Sequence, residues 1–148
     1  MNKCLAGETN IFDCLVNQSP DAIIFADLAG VIRVWNTAAE RMFGFVAERA
    51  IGANLDIIIP ASFREAHWRG FNRAVADSVT KYVDQALPTR ALRADGTEFY
   101  VELSFAIILD DAGRSIGSVA HARDIDDRYK KERANRQRLK ALEAELAR

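Results

Sequence analysis

Between Glu98 and Ile108 the side chains alternate: Val101, Leu103, Phe105 and Ile107 are apolar, and Glu102 and Ser104 between them are polar. A period of two fits only a strand with one buried face, so this segment constrains the fold more than any other. Tight-turn signals bracket it, Ala94-Asp95-Gly96-Thr97 before and Asp110-Asp111-Ala112-Gly113 after. Turns that short join antiparallel neighbours. The partners are therefore the strand-like segments Lys81 to Leu92 and Ser115 to Arg123, the first carrying Pro88, which lacks a donor and is tolerated only at an edge or bulge. Upstream, Ala22 to Asp27 and Val31 to Trp35 flank Leu28-Ala29-Gly30 and predict a hairpin. About five antiparallel strands with helices inserted after the second make an α+β fold, its sheet covered on one face.

The helices have their own signals. Ile11 to Val16 has a period nearer helix than strand and ends at Gln18-Ser19-Pro20; it is too short to stand alone and must pack on the domain or on a second copy. Asn36-Thr37 caps Ala38 to Phe43, and Gly44 stands where a left-handed residue ends a helix. From Ile125 onward Gly and Pro vanish, Lys, Arg, Glu and Ala dominate, and Leu139, Leu142 and Leu146 are spaced as a coiled-coil seam. A division follows: residues 1–18 as a flanking helix, 19–124 as the domain, 125–148 as a helix that pairs copies.

In the middle of the chain Pro60 suits a first helical turn, and Phe63, His67, Phe71 and Ala74 then recur at helical spacing. An imidazole in an apolar stripe is either a satisfied core histidine or a ligand to something held inside, and Arg73 lies close enough to matter for an anion there. His121, alone on a strand, is the weaker candidate.

Charge and motifs narrow the function classes. A formal net charge of −1 over 148 residues gives no global basic field for nucleic acid or an anionic membrane. No apolar run approaches the roughly 20 residues that span a bilayer. Cys4 and Cys14, ten apart, form no Cys-x-x-Cys site and fit a reducing, cytoplasmic setting. There is no phosphate-cradling Gly-x-x-x-x-Gly-Lys loop, Gly-x-Ser-x-Gly elbow or zinc-spaced cluster, and Asp110-Asp111 reads as a solvated turn, so no enzymatic activity is expected.

Several stretches together resemble a bacterial PAS domain: Pro20-Asp21-Ala22-Ile23, Gly30-Val31-Ile32, Trp35 through Gly44, Ile51-Gly52, Arg93 through Thr97, and Arg123-Asp124-Ile125-Asp126. The resemblance runs from about Ser19 to Asp127. It implies a five-stranded sheet in the order 2-1-5-4-3, a pocket between sheet and helices, and a sensory role. Asp124-Ile125-Asp126 resembles the family's Asp-Ile-Thr junction with a signalling helix, with Asp126 where Thr is usual.

Pro60 and His67 also have the spacing of the Pro and proximal His in the haem-binding PAS domains of rhizobial oxygen-sensing kinases and of the direct-oxygen-sensor phosphodiesterase. That narrower resemblance implies haem b held by His67, with Arg73 against a propionate. It places Leu87 where the kinases have an oxygen-binding arginine and Gln85 where the phosphodiesterase has a methionine ligand. Tyr82, Leu103 and Phe105 would line the other haem face, with Arg90 or Arg93 as displaced candidates for the arginine. Flavin photochemistry is disfavoured because no cysteine follows Cys14. The expected function is a homodimeric sensor of a diatomic gas or of redox state, paired through the flanking helices and relaying its state through the C-terminal helix to an output domain or partner. The alternative is a cofactor-free PAS module that pairs proteins or binds a small apolar metabolite.

Overall fold

The computed structural model describes residues 10–78 and 86–148. Its order is α1 (Ile11–Gln18), β1 (Ala22–Asp27), β2 (Ile32–Trp35), α2 (Thr37–Phe43), α3 (Ala47–Ala50), two single 3₁₀ turns at Leu55–Ile58 and Ala61–Phe63, α4 (Arg64–Asp77), β3 (Leu87–Leu92), β4 (Glu98–Leu109), β5 (Ser115–Asp124) and α5 (Asp126–Leu146). The strands form one antiparallel sheet in the order β2-β1-β5-β4-β3, as the resemblance implied. Pro88 sits in β3, the edge strand, where its missing N–H leaves no ladder bond unmade. The expected strand from Lys81 is present from Leu87; residues 81–85, including Tyr82 and Gln85, lie outside the described residues.

One face of the sheet carries the core. Ala22, Ile24 and Ala26 of β1, Ala122 of β5, Phe99 and Val101 of β4 and Ala91 of β3 pack with Phe43, Leu55 and Phe71 from the helical layer. Phe43 lies between Trp35 and Phe99, at ring separations of 5.4 and 5.5 Å. Burial on β4 weakens along the strand: Phe99 and Val101 are buried, whereas Leu103, Phe105 and Ile107 are half-buried. The alternation thus marks the face correctly but overstates how completely it is covered.

Asn36 holds the lower end together. Its Oδ1 caps α2 by accepting from Ala39 N–H and also accepts from Ile23 N–H of β1, while its Nδ2 donates to the Val16 and Asp21 carbonyls. Gly44 ends α2 in the left-handed conformation, at φ 81°. Cys14 is buried and disulfide-bonded to a partner outside the described residues, which corrects the expectation of reduced thiols. Ile11, Phe12 and Leu15 of α1 are exposed, as is every residue of α5 from Lys130 onward.

Candidate functional site

The site is built on α4. Its apolar stripe is turned from the expected one: Phe63 is 40% exposed, Phe71 is buried, His67 and Ala74 are half-buried, and Arg64, Trp68 and Val75 share that half-buried face. The cause is tertiary. Trp68 lies against Gly30 in the β1–β2 turn and donates from Nε1 to Asp56 Oδ1 at 2.7 Å, while Arg64 donates to the Ile59 and Asp56 carbonyls. These contacts rotate the helix, so His67 sits on the shoulder of the buried face rather than at its centre.

The His67 ring is half-buried, edge-on to Trp68 at 4.8 Å and tilted over Phe71 at 6.0 Å. Its Nδ1 is buried and, among the described residues, is the only buried side-chain nitrogen or oxygen with no hydrogen-bond partner. Burial pushes its pKa below the ordinary 6.5, outweighing the opposing pull of the Asp56 carboxylate. The ring is therefore neutral at pH 7. A histidine depressed in this way contributes stability above its unfolded value and loses it as pH falls through 6.5 toward the folded pKa.

The other candidates divide. Leu87 and Leu103 are direct cross-strand partners on the core face, with Phe105 next along β4 on the same side, so these three are brought together. Leu103 packs against the cluster that contains Phe71, one turn from His67. Arg73 is exposed, on a different side of α4 from His67. His121 is exposed on β5, opposite Ser104 and Ile23 on the outer face.

Neither alternative arginine reaches the interior. Arg90 pairs with Glu98 and lies beside Phe63 and Tyr100. Arg93 donates to the Met42 carbonyl, pairs with Asp124 and covers the face of Phe99 at 3.7 Å. It clasps α2, β4 and the end of β5, a structural role that sequence spacing did not reveal. The open cleft beside it also exposes Arg123 and Arg128, but these pair with Asp21 and Glu102.

The Asp124–Asp126 junction joins sheet to α5. Ile125 is buried and donates to the Tyr100 carbonyl, while Tyr100 N–H donates to Asp126 Oδ1. Lys130 donates to Asp126 Oδ2, and these two bonds, Lys130 foremost, hold the carboxyl below the usual carboxylate range. Tyr129 stacks on Tyr100 at 4.0 Å. Asp126 thus ties the start of α5 both to β4, through Tyr100, and to its own next turn, through Lys130.

A family model described as PAS fold matches residues 16–130. An uncharacterized protein of Azorhizobium caulinodans is 38% identical over 121 residues, 81% of this chain and 16% of that protein. The sensor protein FixL of Bradyrhizobium diazoefficiens is 34% identical over 90 residues, 61% of this chain and 18% of that one. The chain therefore spans less than a fifth of either relative. Among solved structures, a PAS domain from Colwellia psychrerythraea superposes with a TM-score of 0.69 at 24% identity, covering 80% of this chain and 99% of that domain.

Proposed function

The chain belongs to the PAS fold family, and on that premise we propose that it is a sensory module binding haem b through His67 and responding to a diatomic gas or to redox state. One observation carries the reading: a neutral imidazole with a buried, unpartnered nitrogen. Leaving such an atom unpaired costs roughly 1–3 kcal/mol, which a bound partner would offset. The surroundings suit the group in kind. His67 supplies an uncharged ligand and Phe71, Leu87, Leu103 and Phe105 supply apolar surface, whereas Arg73, exposed on another side of α4, would have to reach round the helix to meet a carboxylate at the rim. Haem, when bound, supplies an iron centre whose ligands and charge report gas or redox state. The resemblance to FixL over 90 residues supports the same reading.

In this reading residues 1–18 flank the sensor of residues 19–124, and residues 125–148 form the output helix. The exposed apolar side chains of α1 and the seam at Leu139, Leu142 and Leu146 pair two copies. A change felt at α4 passes through the sheet to Tyr100, Ile125 and Asp126, and so to α5. Such a device biases two arrangements of one helix, and the activity belongs to an output domain or partner. Among the described residues no helix is long and apolar enough to cross a membrane.

Trp68 favours a second reading. Its indole already fills the space against the hairpin beside His67, which suits a cofactor-free module that pairs proteins or takes a small apolar metabolite. An absorbance spectrum after haem addition separates the two. A sharp Soret band that His67→Ala removes or shifts is the expected result; protein that stays colourless contradicts the haem reading and leaves the second.

A further inference from the structure

The chain's net charge of −1 conceals a sharp segregation. Residues 128–140 of α5 carry seven cations (Arg128, Lys130, Lys131, Arg133, Arg136, Arg138 and Lys140) and one carboxylate, Glu132. That is a net +6 within 13 residues, leaving −7 on the other 135. Arg128 and Lys130 are held by Glu102, Glu132 and Asp126. Among the described residues the other five cations are exposed and in no ion pair. Beyond Tyr129 the helix lies clear of the sheet, with every remaining residue exposed.

We infer that α5 is a docking surface for duplex DNA, gripping the phosphate backbone without reading sequence. At 100° per residue, Arg133, Arg136 and Lys140 fall on one side of the helix and Lys131 and Arg138 on the opposite side. A partner protein helix would need apolar anchors, but between Lys130 and Arg138 the only apolar residue is Ala134. Single-stranded nucleic acid would need aromatic rings for stacking, and α5 has none after Tyr129, which is already stacked on Tyr100. The deep, narrow major groove of duplex RNA does not admit a helix. The B-DNA major groove does, with phosphates on both walls to meet cations on both sides. The leucine seam begins at Leu139, so pairing there would bring two basic segments together, and DNA would relieve their mutual repulsion.

The test uses the full chain, a fluorescently labelled 20-base-pair duplex and fluorescence anisotropy across a salt series. With five phosphate contacts, the logarithm of affinity should fall against that of salt with a slope of about −4 to −5. The variant Lys131→Ala/Arg133→Ala/Arg136→Ala/Arg138→Ala, which keeps good helix formers, should bind at least about tenfold more weakly with unchanged circular dichroism. Arg114→Ala, at the far hairpin, should bind as the parent does. No duplex binding at low salt, binding that the four substitutions leave unchanged, or tighter binding to single-stranded RNA or polyglutamate would overturn the inference, the last in favour of an acidic protein partner. The inference uses α5 alone and stands or falls independently of haem at His67.

Discussion

Asn36→Ala should lower folding stability by about 3–5 kcal/mol, because it removes a helix cap and strands buried backbone groups from three segments. Asn36 is 1% exposed, and its side chain serves the N–H groups of Ile23 and Ala39 and the carbonyls of Val16 and Asp21. No water can replace those partners cheaply at that depth. In urea the unfolding midpoint should drop by roughly 2 M if the slope is typical for a domain this size. Asn36→Asp retains the acceptor for Ile23 and Ala39 but loses the donor, so it should fall between the two. An alanine variant within about 1 kcal/mol of the parent would show that the cap is not what joins α1, β1 and α2.

Gly30→Ala is the second large effect, at about 2–4 kcal/mol, since it combines an unfavourable left-handed φ with a steric clash. Gly30 has φ 77°, and a Cβ there would overlap the six-membered ring of Trp68. Relief requires the indole to leave Asp56, and with it the rotation of α4 that sets where His67 lies. The decisive form is a double-mutant cycle. In a Trp68→Ala background the same substitution should cost only the backbone share, a coupling of about 1–3 kcal/mol between sites 38 residues apart in sequence. Additive effects would mean that the contact does not hold the helix in place.

These two residues also show what sequence could and could not deliver. Asn36 and Gly44 were legible as cap and stop because capping is local: the residues that need the bond lie within one turn. The β4 alternation and the flanking turns were legible for the same reason, and with the family resemblance they led to the sheet order observed. The facing of α4 was not legible. Phe63, His67, Phe71 and Ala74 make a plausible stripe, but Arg64, Trp68, Phe71 and Val75 make another, and the choice rests on Trp68 meeting a glycine in a distant turn. Arg93 misled for a related reason. A strand-end arginine looks available, yet its partners Met42 and Asp124 lie 51 and 31 residues away.

Averaging over the chain gave −1, whereas the field that a polyanion meets depends on which charges project from the domain and which are paired. At Asp126, where the resemblance has threonine, the carboxylate accepts from Tyr100 N–H and from Lys130, contacts that the sequence alone did not indicate.

The central claim is that His67 presents a neutral imidazole with a buried nitrogen awaiting a partner. Nitrogen-15 NMR of the imidazole across a pH series, in the full chain without added haem, tests it most directly. The account predicts a titration midpoint below 6.5, with the ring neutral at pH 7. A midpoint at or above 6.5 would place the ring in solvent or in a charged hydrogen bond, and the sensing site proposed on it would be contradicted.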